Sequence, residues 1–581
     1  MCVVLRDGDL QVPMERRRNV SDQQTHRPWP CCSFLAARNA GRNDHYRPPT
    51  NVGPSPGTGQ RSRSLGPARG LSDRTDAAPH RWASLGGARR GSAGLGGARR
   101  GSASILSTVT RLAQPRPAQP LTPRRFAALV AGKSAAAASR LSGRGGGQSL
   151  PGLVARRLDP SILEALVGQR GLPVVAITGS NGKTTTARFT AAILRGAGLT
   201  AHHNQAGANL TQGVTSLAVG AADLRGRIPD GVLVVEVDEG ALPEVAPEMR
   251  PRVLLVTDLF RDQLDRFGEL YAVADAIDAV AARLPPDATL VINGDDPLVA
   301  RLAREREGNR LTFGFDLGRS TDRITRAADT IRCPICRADL AYDHVYLSHL
   351  GAYRCLECGF ARPPLDVAVT DLEVRGLDET WLRLRTPAGE MELTIPQSGV
   401  HIAYDAAAAI AIAVALGVPL EGAAAALREV GPAFGRLERI QAGERRIILA
   451  FAKNPTSFNT TLRALATAGE PRQLLMAYSN TLVDGEDFAW LWDVDLEGAM
   501  AGVERATVSG LRADEVANRL KYAGLDAARI FVVPDRTEAL DSALAGLDPG
   551  ETLTILAGYT PTIELREQMH RRGWVNRYWE V

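Results

Sequence analysis

The stretch VVAITGSNGKTTTARFTAAIL, residues 174–194, has the residue types that bind a nucleotide phosphate. Glycines let backbone N–H groups converge on phosphate oxygens, and a helix that begins at the loop adds the positive end of its dipole. Lys183 is predicted to contact the β- and γ-phosphates and the Thr184 hydroxyl to bind Mg²⁺. We therefore predict an ATP and Mg²⁺ site on seven consecutive residues: Gly179, Ser180, Asn181, Gly182, Lys183, Thr184 and Thr185. The alternative is a glycine-rich strand-to-helix turn without a ligand.

Acidic residues follow the next apolar run. The sequence VVEVDEG places Glu236, Asp238 and Glu239 at the carboxyl end of a predicted strand. Ligands collect at that edge of a parallel sheet, so the acids should lie beside the phosphate loop. Of the three we choose Glu236 as the second protein ligand of Mg²⁺. Surface acids at a strand end are the simpler alternative.

Two cysteine pairs have the spacing of a zinc ribbon. CPIC contains Cys333 and Cys336, CLEC contains Cys355 and Cys358, and 18 residues separate the pairs. This spacing is typical of two knuckles that share one tetrahedral Zn²⁺. Four thiolates fill that tetrahedron, so the predicted site is closed and its role structural. A disulfide or redox pair is the alternative.

Apolar runs alternate with helical patterns on either side of the cysteines. LPVVAIT, GVLVVEVDE, PRVLLVTDL and ATLVINGDDP form one series, and RIILAFAKNP, RQLLMAYSN, RATVSGL, RIFVVPD and TLTILAGY form a second. Runs of this kind predict parallel sheets covered by helices. We predict an N-terminal helix and joint at 121–152, a P-loop domain at 153–430 with a ribbon inserted at about 328–365, and a second α/β domain at 431–581.

The first 120 residues differ from the rest in composition. They hold 19 Arg, no Lys and seven acidic residues, and LGGARRGSA occurs twice, at 85–93 and 95–103. Such a segment buries too little apolar surface to offset its chain entropy. We expect a disordered tail or a wrongly chosen start codon; an Arg-rich arm for RNA or membranes is the alternative. Because the remaining chain is acidic on balance, we expect no nucleic acid as a partner.

The loop ending in G-K-T-T resembles that of the Mur ligase superfamily, ATP-dependent amide-bond-forming enzymes. Within it, several stretches are similar to the MurT family: HNQAGANLTQGV, EVDE, LFRDQLDRFGEL, VINGDDP, FGRLERI, KNPTSFN, DGEDFAWLWDVDLE and LRADEVANRLKYAG. They run from about residue 121 to the C-terminus. The resemblance implies a Mur-ligase-like parallel-sheet ATPase domain with an inserted four-cysteine zinc ribbon, followed by a Rossmann-like α/β domain.

The resemblance also implies a reaction. It is the ATP-dependent amidation of the D-glutamate α-carboxylate in the lipid II stem peptide to D-isoglutamine, through an acyl phosphate, in peptidoglycan synthesis. Every cysteine after residue 120 belongs to the two pairs, so ammonia must come from a partner or from solution. The resemblance implies the partner, a GatD-like glutaminase subunit in a heterodimer. Asp493, in WLWD, is by resemblance the essential acid; it either orients ammonia or completes the partner's catalytic Cys–His arrangement. An acidic loop packed by tryptophans is the alternative.

Some positions depart from the family pattern. Ile402 and Asp405 stand where the family has Asn, as does Asp258. These departures keep an inactive, scaffolding paralogue as an alternative. Another Mur-like amino-acid ligase is disfavoured, because no lysine occurs between Thr184 and Ala452 to serve as the carbamylated lysine of classical Mur ligases.

Cellular location follows from the same chemistry. ATP, reduced thiolates and the lack of a recognisable signal peptide predict a cytoplasmic protein. No apolar run approaches the length of a membrane span, and a lipid-linked substrate would bring the protein to the inner face of the membrane.

Overall fold

The computed structural model describes residues 121–141, 149–168, 172–204, 207–261, 269–304, 306–324, 328–432, 435–481 and 484–576. The Arg-rich tail, most of the GRGGGQSLPG joint and part of LFRDQLDRFGEL lie outside these ranges. The helices are α1 (Pro123–Leu141), α2 (Leu150–Leu158), α3 (Ile162–Leu166), α4 (Lys183–Gly196), α5 (Thr211–Ala221), α6 (Leu242–Met249), α7 (Leu270–Ala282), α8 (Pro297–Ala300), α9 (Val400–Leu416), α10 (Ala423–Arg428), α11 (Pro455–Thr467), α12 (Ala513–Tyr522), α13 (Arg536–Ala545) and α14 (Tyr559–Arg571).

A nine-stranded sheet, here the large sheet, carries the phosphate loop. Its strands, in spatial order, are β11, β10, β9, β6, β5, β4, β1, β3 and β2. The last six of these pair in parallel, and β9–β11 extend the sheet as an antiparallel meander. The bounds are β1 (Val174–Thr178), β2 (Ala201–His203), β3 (Val232–Glu236), β4 (Val253–Val256), β5 (Thr289–Asn293), β6 (Arg310–Phe315), β9 (Val367–Arg375), β10 (Glu379–Thr386) and β11 (Gly389–Ile395).

The central strands of the large sheet are buried on both faces, which explains their continuous apolar runs. Along β1, Val175 and Ile177 join one core while Val174 and Ala176 join the other. Helices α4 and α9 cover the first face, and the second lies under α1, α3, α5, α6 and α7. Residues from all five of those helices are buried there.

A six-stranded sheet, the small sheet, forms from the second series of apolar runs. Its order is β12, β13, β17, β14, β15, β16, and only β12 runs antiparallel to its neighbour. The bounds are β12 (Glu438–Ala442), β13 (Arg445–Phe451), β14 (Gln473–Ala477), β15 (Arg505–Ser509), β16 (Ile530–Val532) and β17 (Thr552–Ala557). Both sheets confirm the predicted α/β class.

The cysteine pairs flank a hairpin of β7 (Leu340–Leu347) and β8 (Leu350–Cys355), which lies in the chain between β6 and β9. The far end of this hairpin is buried: Tyr346, Leu347 and Leu350 belong to the core under α4 and α9. The ribbon is therefore packed into the body of the large sheet at the end opposite its cysteines.

Among the described helices, none combines the length and apolarity that crossing a bilayer requires.

Candidate active site

The phosphate loop lies between β1 and α4. Gly179 and Gly182 have φ of +123° and +79°, values that side chains rarely adopt. A Cβ on Gly182 would also overlap Asp405 Oδ1 of α9. Glycine at both positions therefore has a steric reason, and the short loop is shaped by α9 packing against it.

Lys183, the first residue of α4, is buried and points back into its own loop. Its Nζ donates to the Gly179 carbonyl and lies 3.0 Å from Glu239 Oε2. Glu239 is itself buried. A buried ammonium held by one carboxylate can exchange that partner for phosphate oxygens when a nucleotide enters.

Thr184 and Glu236 meet at the same edge. Thr184 Oγ1 donates to Glu236 Oε2 over 2.8 Å, and Asn209 Nδ2 lies 3.3 Å from Glu236 Oε1. The Asn204 side chain bonds the Glu236 backbone N–H and carbonyl, each over 2.8 Å, which fixes the end of β3. A hydroxyl and a carboxylate this close are oxygen donors of the kind that Mg²⁺ binds. The sequence-predicted pair is thus brought together.

The segment after β4 supports the loop from beneath. Asp258 Oδ1 accepts the Asn181 N–H over 2.8 Å, and Ser180 Oγ exchanges bonds with the backbone of Phe260 over 2.9 and 3.0 Å. Desolvation raises the pKa of Asp258 to about 7, and the nearby Asp296 carboxylate adds to the rise. Asp258 therefore titrates near neutral pH.

Helix α9 brings a second carboxyl to the loop. Asp405 Oδ1 accepts from Thr186 Oγ1 over 3.4 Å, whereas Asp405 Oδ2 is buried without a partner among the described residues. Desolvation raises the pKa of Asp405 well above its usual value, although the Arg436 guanidinium opposes the rise. A carboxyl that stays neutral can donate through its O–H and accept through its carbonyl oxygen, as the Asn expected at this position by resemblance would.

Two clefts adjoin the phosphate loop, and residues from both sheets line each of them. The inner cleft, about 980 Å³, runs from Gly182 and Thr185 past Asp405 to Phe451 and Thr456. The front cleft, about 1380 Å³, is lined on one side by Lys183, Thr184, Glu236 and Asp238, and on the other by Lys453, Tyr478, Asp484, Trp490 and Tyr559. A molecule bound in the front cleft would lie between Lys183 of the phosphate loop and the residues of the small-sheet side.

The two sides of these clefts are joined at the loop itself. Asn454 Nδ2 donates to Asn181 Oδ1 over 3.0 Å, while Asn454 Oδ1 caps α11 by accepting from the Ser457 N–H over 2.9 Å. A phosphate-loop residue and the first turn of α11 are thus held in contact.

Asp493 lies elsewhere. It ends a 3₁₀ turn, Ala489–Asp493, and neither cleft is lined by it in the described part of the chain. Its side chain is 36% exposed, and its Oδ2 lies 3.2 Å from Arg261 Nη2. Trp490 of the same turn lines the front cleft. The turn therefore presents one residue to the cleft and another to the protein surface.

The four cysteines form one cluster. Their sulfur atoms lie within 4.8 Å of one another, and the pairs Cys333–Cys358 and Cys336–Cys355 approach to 3.5 and 3.4 Å. Arg337 and Gly359, each directly after a pair, have positive φ, as knuckle turns require. The donor set and its compactness fit a tetrahedral Zn²⁺.

Comparison with known proteins shows which families the chain matches. Residues 177–337 match the Mur ligase middle domain model and residues 451–562 the MurT ligase C-terminal model. The chain is 32% identical over 442 residues to the lipid II isoglutaminyl synthase (glutamine-hydrolyzing) subunit MurT of Streptococcus pneumoniae, covering 75% of this chain and 95% of that one.

The chain belongs to the MurT family. The Staphylococcus aureus COL MurT subunit is 28% identical over 449 residues, covering 77% of this chain and 98% of that protein. Among solved structures, a pseudomurein peptide ligase type C from Methanothermus fervidus superposes with a TM-score of 0.54 at 21% identity, covering 69% and 78%. MurF from Acinetobacter baumannii gives 0.53 at 19% identity, covering 72% and 80%. These two likenesses show a shared Mur ligase fold.

Several contacts of this MurT family member were not predicted from sequence. Glu239 was one of three acids noted after β3, but nothing marked it as the partner of Lys183. Asp484 lies shortly before the WLWD stretch, and only the fold shows that it lines the front cleft. No motif connects Arg261 with Asp493, because the two are far apart in sequence and belong to the parts of the chain built on different sheets.

Proposed function

We propose that this chain is the synthetase subunit that amidates the D-glutamate α-carboxylate of the lipid II stem peptide to D-isoglutamine, using ATP. The observation that carries the proposal is the front cleft, in which Lys183, Thr184 and Glu236 face Lys453, Asp484 and Trp490. Membership of the MurT family supports the substrate class, since its relatives bear the name lipid II isoglutaminyl synthase.

ATP would lie with its phosphates on the loop and its nucleoside in the inner cleft, which begins at Gly182 and Thr185. Lys183 would leave Glu239 for the β- and γ-phosphates. Thr184 and Glu236 would hold Mg²⁺, which neutralises charge on the transferring phosphoryl group when bound. The residues of the loop act by positioning and by electrostatic stabilisation.

The first half-reaction makes the carboxylate reactive. A carboxylate oxygen of the D-glutamate attacks the γ-phosphorus, the bond to the β–γ bridging oxygen breaks, and ADP leaves with that electron pair. The acyl phosphate then has a good leaving group at the carbonyl carbon. Lys183 is aligned to stabilise negative charge during this transfer.

The second half-reaction forms the amide. Ammonia attacks the carbonyl carbon, the bond to the phosphate oxygen breaks, and phosphate departs with the electron pair and takes up the proton that the nitrogen loses. Asp484 lines the cleft as a carboxylate that accepts from the Thr560 N–H over 2.7 Å and from Thr481 Oγ1 over 2.6 Å. Its place opposite the phosphate loop suits a group that orients the incoming ammonia.

The ammonia would come from a glutaminase partner of the GatD kind. All seven cysteines are accounted for: three lie in residues 1–120, and the other four form the cluster. A thiol for glutamine hydrolysis must then be supplied by another chain. The relatives' printed name, subunit MurT of a glutamine-hydrolyzing synthase, implies a further subunit and agrees with that division.

Asp493 would serve the partner. It is partly exposed and turned away from the clefts, so of its two predicted roles we favour completing the partner's Cys–His arrangement over orienting ammonia. Trp492 and Tyr522 beside it are 40% and 74% exposed and pack ring to ring at 5.7 Å. Exposed aromatic side chains are typical of the centre of a protein interface.

The remaining assignments follow the same division. Zn²⁺ on Cys333, Cys336, Cys355 and Cys358 would be structural. The predicted boundaries at residues 153–430 and 431–581 would separate the ATPase domain from the C-terminal domain. The enzyme would work in the cytoplasm, at the inner face of the membrane where lipid II is exposed.

The test uses the full chain in complex with a GatD-like glutaminase, with ATP, Mg²⁺, glutamine and lipid II, and follows the stem peptide by mass spectrometry. We expect conversion of one carboxylate to an amide, and we expect ammonium chloride to replace glutamine. No amidation with either nitrogen source, in a complex that is folded and binds ATP, would reject the synthetase and favour a scaffolding paralogue. For Asp493→Asn, loss of glutamine hydrolysis with ammonium-supported amidation retained would support its assignment to the partner.

A further inference from the structure

Arg261 joins two carboxylates that belong to different parts of the chain. Its Nε and backbone N–H both bond the Asp329 carboxylate, the latter over 2.8 Å. Its Nη2 lies 3.2 Å from Asp493 Oδ2. One guanidinium thus connects the segment that leads into the zinc ribbon with the 3₁₀ turn of the small-sheet body.

The Asp329 end of this connection is rigid. The Asp329 side chain is only 5% exposed, and its backbone N–H donates to His349 Nδ1 over 3.3 Å. His349 is fully buried at the hairpin tip, with its ring 4.4 Å from that of Phe260. Asp329 is also four residues before Cys333. The backbone N–H and Nε of Arg261 are therefore held by one buried carboxylate, while its Nη2 contacts Asp493.

The Asp493 end is not rigid by itself. Its side chain is partly exposed, and the adjoining Trp492 is more so. An exposed ion pair adds little to folding stability. A charge-assisted hydrogen bond does, however, restrict where the carboxylate points. The contribution of the Arg261–Asp493 pair is therefore to orient the Asp493 carboxylate, and not to stabilise the fold.

We infer that Arg261 is a positioning residue, which holds one oxygen of Asp493 so that the other is presented to the catalytic histidine of the glutaminase partner. This inference rests on the proposed function of Asp493. Arg261 precedes α7 on the large-sheet side, and Asp493 belongs to the small-sheet side. The pair therefore joins the two sides that also line both clefts.

The chain offers a matched control. Arg463 of α11 pairs with Asp322, whose side chain is 4% exposed and accepts the Ser348 N–H over 2.8 Å. This ion pair also joins the small-sheet side to a buried aspartate near the ribbon, but it does not touch Asp493. Arg463→Met therefore removes a similar contact between the two sides without altering the positioning of Asp493.

The experiment compares R261M, R261K, R463M and D493N in the complex with the glutaminase. Glutamine hydrolysis and ammonium-supported amidation are measured separately. For R261M we expect kcat for glutamine hydrolysis to fall by about 10–100-fold, the range seen when an orienting partner is lost, with KM for glutamine and ammonium-supported amidation unchanged. R261K should recover part of the loss, because an ammonium group can still pair with Asp493. R463M should leave the ratio of the two activities as in the unaltered chain.

The outcomes distinguish a failure of the positioning role of Arg261 from a failure of the proposed role of Asp493. If D493N hydrolyses glutamine normally, the assignment of Asp493 to the partner is wrong. If D493N is impaired but R261M is normal, only the positioning role is wrong. If R261M loses both activities equally, or R261K is no better than R261M, Arg261 does not act through Asp493 and the inference is rejected.

Discussion

The Thr184 hydroxyl and the Glu236 carboxylate lie 2.8 Å apart at the carboxyl end of the large sheet. This contact joins the first turn of α4 to the end of β3, so two separate elements provide the pair of oxygen donors. Glu236 is held at both its backbone and its carboxylate, through Asn204 and Asn209.

The first prediction concerns this pair. Glu236→Gln should raise the Mg²⁺ concentration needed for half-maximal amidation by about 10–100-fold, because a neutral amide is a weaker ligand than a carboxylate. Titration of ammonium-supported amidation with Mg²⁺ measures the change. Asp238→Asn is the control, since Asp238 also lines the front cleft but bonds the nearby Gly240 N–H. An equal shift in both variants would show that Glu236 has no special role.

The second prediction concerns Lys183. Its ammonium group is buried against Glu239, so Lys183→Met should lower kcat for amidation by about 10²–10³-fold, as expected when one electrostatic donor at a transition state is lost. The measured quantity is the rate of ADP release in the presence of lipid II and ammonium chloride. Lys521→Met, on the exposed side of α12, should leave the rate unchanged. A K183M enzyme with normal turnover would exclude the phosphate-loop mechanism.

The third prediction is a pH dependence at Asp258. With a pKa of about 7, this carboxyl is neutral below that pH and charged above it, beside the N–H of Asn181. A new negative charge under the phosphate loop opposes ATP, so KM for ATP should rise between pH 6 and pH 8 (about one unit either side of that pKa). Asp258→Asn should remove the rise. The measurement is KM for ATP across this pH range in both proteins. If KM for ATP still rises with pH in D258N, the pH dependence does not come from Asp258.

The same carboxyl affects folding. Because the folded-state pKa is raised from 3.8 to about 7, the native chain keeps a proton that the unfolded chain loses between these values. The unfolding free energy should therefore fall as pH rises through this window and stay lowered above it. D258N should flatten the fall, as measured by urea unfolding at several pH values. Asp287→Asn, whose side chain is 79% exposed, should leave the profile unaltered.

The fourth prediction concerns the ribbon. Purified protein should contain about one Zn²⁺ per chain, and Cys355→Ser should lose it and lower the melting temperature, because Cys355 packs with Tyr353 and Phe360 in a small buried core. His344→Ala should keep the metal, since four thiolates complete the site. Metal analysis and thermal melting measure both. If C355S retained zinc and H344A lost it, the assignment of four cysteine ligands would be wrong.

Sequence patterns were sufficient for the elements that carry chemistry. VVAIT, VVEVDE and the strands of both series appear as β1, β3, β4, β5 and β13–β17. The central strands are apolar throughout because they are buried on both faces, whereas Phe531 and Val532 of the edge strand β16 are exposed. The glycine and lysine spacing placed the phosphate loop. The Ala-rich run after Asp405 forms the buried helix α9.

Other features could not be read from sequence. The strands β9–β11 alternate polar and apolar residues between the ribbon and α9, and periodicity does not say that they extend the first sheet. The pairs Lys183–Glu239 and Arg261–Asp493 join residues whose proximity depends on strand order and on how two bodies face one another. The local sequence pattern predicts which residues are buried and where turns occur. Contacts between residues far apart in sequence depend on the order and connection of the strands, which the local pattern does not predict.

The chain separates the two helices that cover one face of the large sheet. Phe189 and Ile193 of α4 share a core with Ile410 of α9, more than two hundred residues later. During synthesis from the N-terminus, the apolar side of α4 must stay uncovered until the ribbon, the meander and α9 have all left the ribosome. We expect nascent chains that end before α9 to bind chaperones strongly, and chains that extend past it to be released.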